Sequence, residues 1–332
     1  MTLDTVQNPS FANSHFHPTL VYFERIVKRY FFINVAFMLL AVVLSVLFIC
    51  FFSFFQQAFL MGIVLAFFFF SFVMYFIQRT YAKEQKPRQL LALRNEYMKH
   101  AAIKSQDPKE LAEYAHSIAL ELDNVAPLLS TLPRFICFLE PYFKRFAAYW
   151  FWQDVHKMKE LFLLAMIDEL KSCIKNHPTS VEAHRELALG YLMLLSHYNE
   201  PLQATHIDFA NSSSIKEELR SKRAFAADGA VQECLILKEY SPNDSWVHKS
   251  LATIYKDLGL TEKEIEASEA LVALNPKDFE ALHNLGVLYF KQGMNAKGLK
   301  IYEKLHKHDL ALAESLLNHY GAYLPFDPYR IL

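Results

Sequence analysis

Cysteine and histidine are the residues here that could bind a metal or crosslink the chain, and their spacing argues against both. The cysteines lie far apart, each in an apolar stretch, with no CxxC pair. That pattern is typical of single buried thiols. His15 and His17 have no further ligands beside them, and His306 and His308 point to different faces of a predicted helix. We expect no metal and no cofactor. The cysteines are Cys50, Cys137, Cys173 and Cys234.

Short motifs that carry common enzyme chemistry are also missing. The sequence has no HExxH, no GxSxG, no P-loop and no dinucleotide-binding glycine fingerprint. The formal net charge is −1, so no strong basic field attracts a phosphate backbone. We therefore expect neither an enzyme nor a nucleic-acid-binding protein.

The elements that must carry any function are predicted to be helices. Only eight of the 332 residues are glycine, and leucine, alanine, glutamate and lysine are frequent. Alternating β-branched runs are few, so the composition favours an all-α chain.

Residues 30–78 contain no charged residue and no histidine over 49 consecutive positions. As one helix they would extend about 73 Å at ~1.5 Å per residue, against a bilayer core of ~30 Å. Two helices over 31–52 and 58–77 each fit that thickness, and Ser53–Gln57 supplies a turn between them. The sequence predicts a transmembrane hairpin that is apolar on all sides.

Basic residues flank the hairpin at both ends and are absent from its turn. The positive-inside rule then places both termini and the body on the cytoplasmic side of an integral two-pass protein. A cysteine at Gln56 is expected to react from the opposite side. The flanking residues are Arg25, Lys28, Arg29, Arg79, Lys83, Lys86 and Arg88.

The remaining segments are predicted more coarsely. Residues 1–29 read as a flexible arm, 79–153 as a juxtamembrane helical region and 321–332 as a tail. Within 134–153, aromatic residues recur at helical spacing. They favour either an interfacial helix on the membrane or a core helix packed against residues 155–176.

The body shows a 34-residue period. Large residues, small residues and glycines recur in two successive segments. Leu251, Ala252, Tyr255, Gly259, Ile265 and Leu271 recur at Leu285, Gly286, Tyr289, Gly293, Leu299 and Leu305.

This pattern resembles the tetratricopeptide repeat (TPR), a pair of antiparallel helices of about 34 residues. The resemblance implies an α-helical TPR-like solenoid over 154–320. Its clearest units are 181–244, 245–278 and 279–308, and the first contains an insertion of about 30 residues within 196–225.

The TPR resemblance also implies a concave groove, lined by the first helix of each unit, that binds a protein or peptide partner. Leu189 and Thr253 stand where a carboxylate-binding subfamily has asparagine, so a full carboxylate clamp is not expected. The implied groove residues are Glu182, Arg185, Leu189, Trp246, Lys249, Thr253, Lys256, Glu280, His283, Val287 and Phe290.

Together these features predict a membrane-anchored adaptor that recruits protein partners on the cytoplasmic face. The paired hydrophobic segment with its short turn also resembles chlamydial inclusion membrane proteins, which implies export to a host-facing membrane. Two alternatives remain. One is a resident inner-membrane factor that assists assembly or secretion in a bacterium. The other is a structural protein that forms homo-oligomers through its hairpin.

Overall fold

The computed structural model describes the backbone of residues 9–50, 58–129, 140–203 and 213–321, and side chains within 21–50, 59–122, 151–199 and 217–321. Every regular element in this part of the chain is an α-helix, which confirms the predicted fold class. The chain divides into two compact units between Cys173 and Ile174. In chain order the helices are α1 Pro9–Cys50, α2 Ala58–Lys104, α3 Pro108–Leu129, α4 Glu140–Asn176, α5 Val181–Gln203, α6 Ser213–Tyr240, α7 Ser245–Leu258, α8 Thr261–Leu274, α9 Phe279–Lys291, α10 Asn295–His306 and α11 Leu310–Leu317.

Helices α1 and α2 pack side by side as an antiparallel hairpin. The Tyr30 hydroxyl lies 3.3 Å from Gln89 Oε1, to which it donates, and the rings of Phe37 and Tyr75 lie 5.5 Å apart. Residue numbers therefore rise along α1 as those of their partners fall along α2. The predicted turn at 53–57 lies outside the described residues.

Both hairpin helices are long and apolar enough to cross a membrane. The most apolar windows of α1 and α2 have mean hydropathies of 2.8 and 2.5, and only 6% of either window is buried within the protein. A core helix of a soluble protein buries its apolar face. Within these windows, most apolar side chains of the two helices instead lie on the outside.

The first helix extends further towards the N-terminus than the sequence indicates. A flexible arm is expected over 1–29, whereas α1 begins at Pro9. Phe23 and Val27 are each only 1% exposed, so the helix is packed well before the predicted span. Burial of these side chains favours the helix over a mobile arm.

The second helix is likewise longer than its predicted span of 58–77. It continues through Pro87 to Lys104 without a break. A proline inside a helix removes one backbone donor and is costly. The turns after it bury Leu90 and Leu93, and this burial offsets part of that cost.

Helices α3 and α4 complete the first unit. Asp107 accepts a 3.0 Å hydrogen bond from the Lys109 backbone N–H, as expected for the cap of α3. The ring of Phe162 on α4 is fully buried 5.7 Å from Tyr97 of α2. Residues 154–173 therefore lie in this unit, although the sequence groups them with the repeats.

The aromatic segment 134–153 is described only in part. Its residues 140–153 are helical, but all of its side chains before Phe151 lie outside the described residues. Phe151 itself is buried, with its ring 5.0 Å from that of Phe31. The core-helix interpretation places the packing partner within residues 155–176, but these residues continue the same helix α4, so that packing is wrong. The observed partner is Phe31 of α1.

The second unit consists of helix pairs with the predicted spacing. The first helices α7 and α9 begin at Ser245 and Phe279, and the second helices α8 and α10 begin at Thr261 and Asn295. Both separations are 34 residues (279 − 245 and 295 − 261). Gly259 has φ = 70°, so it closes α7 in a backbone conformation that favours glycine.

The extra residues predicted within 196–225 lengthen both helices of the first pair. Helix α5 reaches Gln203 and α6 begins at Ser213. The Asn199 amide donates a 3.0 Å hydrogen bond to Asp257, and the Arg223 guanidinium donates to the Asp257 backbone carbonyl. The extension is therefore joined to the end of α7 rather than lying apart from the unit.

A histidine holds the preceding turn in two of the pairs. His184 Nε2 lies 3.0 Å from the Pro178 carbonyl, and His248 Nε2 lies 2.9 Å from the Pro242 carbonyl. The two sites are 64 residues apart, the same offset that relates the repeats. In His184 alone the other ring nitrogen contacts a carboxylate, that of Glu233 at 2.6 Å.

Candidate functional site

The first helices of the three pairs line two neighbouring depressions. One lies between α5 and α7 and has a volume of about 580 Å³. The other lies between α7, α8 and α9 and has a volume of about 250 Å³. Lys249 and Thr253 line both, so α7 forms the wall between them. We refer to the two depressions together as the groove.

The α5–α7 depression contains three of the predicted groove residues. Trp246, Lys249 and Thr253 line it from α7. Its opposite wall is made by residues of α5 that the sequence analysis missed. They lie near or within the helical extension, for which a regular repeat has no counterpart. These residues are Leu192, Leu195, Ser196 and Asn199.

The α7–α9 depression contains three further predicted residues. Lys256, Glu280 and Val287 line it together with the shared Lys249 and Thr253. Lys249, Thr253, Lys256 and Glu280 are exposed, so their polar atoms are accessible to a ligand. The lining carries charges of both signs, because Lys256 and Glu280 lie in the same depression.

Glu264 of α8 is the least expected member of this site. It lines the α7–α9 depression and is only 8% exposed. Burial raises the pKa of its carboxyl group, while Lys256 and Lys291 oppose that shift and Asp257 adds to it. Within the described residues no hydrogen bond or ion pair involves this carboxylate. The equivalent position 34 residues later is Gly298, so the large acidic side chain of Glu264 departs from the small residue of the next helix pair.

The three predicted residues of α5 line neither depression. Arg185 is engaged within the protein: it pairs with Asp244, and its guanidinium lies 5.1 Å from the centroid of the Trp246 ring. It therefore orients Trp246 at the edge of the groove. Leu189 is half-buried and lines neither depression, and the exposed Glu182 lies outside both as well.

On α9 the predicted face is rotated by one residue. Phe290 is fully buried in the core with Leu305 and Leu316, so its assignment to the groove is wrong. His283 is half-buried and lines neither depression. Ala281 and Leu288 of α9 line the depression, and four further residues follow a spacing of four, three and four along one helix face. They are Glu280, Asn284, Val287 and Lys291.

The groove offers polar groups for non-covalent contacts. Its polar groups are ammonium, carboxylate, amide and hydroxyl groups spread over α5, α7, α8 and α9. Such groups pair with the backbone and side chains of an extended or helical peptide. In the part of the chain with described side chains, no three His, Cys, Asp or Glu residues come together as a metal site.

Comparison with known proteins gives little further information. No family model matches the sequence, and no curated protein matches it. Among the solved structures, a monomeric mutant of IFIT1 with Gppp-AAAA matches at 14% identity and a TM-score of 0.34. The match covers 70% of this chain and 60% of that one, so it extends over less than two thirds of the neighbour's length. Similarity at this level supports no argument about function.

Proposed function

We propose that this chain is a membrane-anchored scaffold whose helical repeats bind a protein partner through the groove. The observation that carries the proposal is the shared wall. Lys249 and Thr253 of α7 face both depressions, so one ligand can contact α5, α7 and α9 in succession. Continuous surfaces of this kind suit peptide segments better than small molecules.

The anchor in this proposal is the α1–α2 hairpin. Its two apolar helices are exposed along most of their length, which is costly in water and favourable in lipid. The positive flanks favour both termini and the repeats on the cytoplasmic side. The scaffold then presents its groove at a membrane surface, where it binds partners without altering them chemically.

The partner in this proposal makes mainly polar contacts. Lys249, Lys256 and Lys291 can each donate to carbonyl or carboxylate groups, and Asn284 offers an amide. Glu264 can accept from a backbone N–H or a cationic side chain that enters the depression. Because this carboxylate is desolvated, a hydrogen bond from a bound donor is stronger here than it would be in water.

Site-specific photocrosslinking tests the proposal in the native host. A photoreactive residue replaces Thr253 in the shared wall, and a matched residue replaces the exposed Lys300 on α10, which lines neither depression. We expect discrete protein adducts from position 253. The double substitution Lys249→Glu/Lys256→Glu should abolish them, because the new carboxylates repel the partner groups that the lysines attract.

The chain with the photoreactive residue at position 300 is the control for crosslinks that arise from random collisions at the membrane. The same adducts from both positions, or adducts at 253 that survive the charge reversal, would contradict binding through the groove. Circular dichroism of each variant establishes that the helices are retained.

A further inference from the structure

A third depression, in the first unit, lies where the apolar part of the hairpin ends. It has a volume of about 280 Å³ and lies between α1, α2 and α4. This is near the lower end of the roughly 300–1,000 Å³ of small-molecule sites, and suits a group of headgroup size. Tyr30 and Asn34 line it from α1, and Gln153 and Asp154 line it from α4.

The wall formed by α2 carries three basic residues on one helix face. Arg79, Lys83 and Lys86 all line the depression and follow one another at spacings of four and three. The same spacing continues towards the turn through Phe76 and Phe72, which are 64% and 61% exposed. One stripe of α2 thus passes from exposed aromatic rings to a cationic depression.

The charges in the depression do not balance. Lys86 pairs with Asp154 at 2.5 Å and lies 5.7 Å from the Tyr30 ring centroid, so its ammonium group is held in place. Asp154 is 7% exposed, and burial raises the pKa of its carboxyl against the opposing effect of Lys86. Arg79 and Lys83 have no anionic partner within the described residues, which leaves an excess of two positive charges (three cations less one carboxylate).

We propose that this depression binds the phosphate headgroup of an anionic phospholipid. Arg79 would donate a bidentate pair of hydrogen bonds to phosphate oxygens, and Lys83 would add a second cation one turn away. Asp154 acts as a positioning residue, because it holds Lys86 at the back of the site. Basic depressions between membrane helices on the cytoplasmic side are suited to such headgroups.

The exposed rings of the stripe favour a lipid over a soluble phosphate ester. Phe72 and Phe76 lie where the acyl chains of a headgroup-bound lipid would run along α2, and they bury apolar surface only if such chains are present. The proposal rests on the membrane insertion proposed above. Its test must therefore measure insertion separately.

Native mass spectrometry of the full chain, reconstituted in mixed phosphatidylcholine and phosphatidylglycerol and then extracted, measures which lipid is retained. The variant is Arg79→Gln/Lys83→Gln, and the matched control is Arg88→Gln/Lys99→Gln, which removes two exposed charges of α2 that do not line the depression. We expect retention of the anionic lipid to fall roughly thirtyfold in the variant, about fivefold for each cation, and to persist in the control.

Because Arg79 and Lys83 also contribute to the positive flank, resistance to alkaline extraction is measured for every chain. A second variant, Ala82→Trp, fills the depression without changing any charge and therefore keeps the insertion signal. It is expected to lose the anionic lipid as well. If the double substitution fails to insert, the lipid retention of Ala82→Trp decides the test.

Three outcomes would overturn the site while leaving insertion intact. They are equal loss in variant and control, wild-type retention by Ala82→Trp, and displacement of the lipid by soluble glycerol phosphate. The first two would indicate general surface attraction, and the third a soluble phosphate ligand. A wild-type chain that fails to resist alkaline extraction would instead contradict the anchor itself.

Discussion

Several phenylalanines of α2 lie on its outside, whereas Phe290 of α9 lies in the core of the second unit. Phe69 and Phe76 of α2 are 69% and 64% exposed, whereas Phe290 of α9 is 0% exposed. Both regions consist of α-helices. With the membrane anchor proposed above, lipid solvates the exposed rings of α2, whereas the repeats lie in water and bury the ring of Phe290.

The largest expected effect contrasts the same substitution in the two regions. Phe290→Ala should lower the free energy of unfolding of the repeat unit by about 3–5 kcal/mol, because it leaves a cavity in a buried core. Phe76→Ala should change folding stability little, because lipid or detergent fills the space. Thermal unfolding of the detergent-solubilised chain, followed by circular dichroism, measures both. Similar losses of unfolding free energy in the two variants would contradict the proposed difference between the two regions.

Glycine to alanine should have opposite effects in the two regions. A Cβ at Gly298 would collide with the buried ring of Phe290, so we expect a loss of about 1–3 kcal/mol. A Cβ at Gly62 meets nothing within 4 Å, so alanine there should be neutral or stabilise the helix by up to about 1 kcal/mol. Hydrogen exchange of peptides from α10 and α2 reports each change locally. Faster exchange around Gly62→Ala would contradict the open environment of that helix.

Glu264→Ala should separate stability from binding within the repeats. Alanine removes a buried carboxylate that no described residue pairs, so we expect stability to rise by about 1 kcal/mol. The same change should weaken the crosslinking from position 253. Improved stability with unchanged crosslinking would show that Glu264 does not contact the partner.

The smallest effect is a pH dependence from His184. Burial lowers the pKa of this ring, but its hydrogen bonds to Glu233 and the Pro178 carbonyl, with the charge of Glu233, outweigh burial and raise the pKa above 6.5. The protonated ring therefore stabilises the fold fully below about pH 6.5, and this contribution is lost as the pH rises through the higher pKa of the folded state. Glu233→Gln should flatten this pH dependence of the melting temperature. An unchanged profile would exclude this pair as its source.

The sequence predicts those features that depend on local pattern. The uncharged run predicts one long helix on either side of residues 53–57, and the 34-residue period predicts where α7 and α9 begin. It does not predict that α2 continues through Pro87, since burial of Leu90 and Leu93 is a tertiary effect. Helical spacing alone also cannot separate the groove face of α9 from the adjacent core face, as Phe290 shows. Asn284 and Lys291, which line the groove, are four and eleven residues after Glu280, which also lines it.

The central claim is that the hairpin faces lipid while the repeat groove faces water. Single cysteines at Phe69 and Thr253, in a background without the four native cysteines, carry spin labels in the full chain reconstituted into vesicles. The account predicts that the label at 69 is relaxed by oxygen, which concentrates in lipid, and is shielded from a water-soluble relaxation agent. The label at 253 should show the reverse. Equal access of the water-soluble agent to both labels would contradict the account.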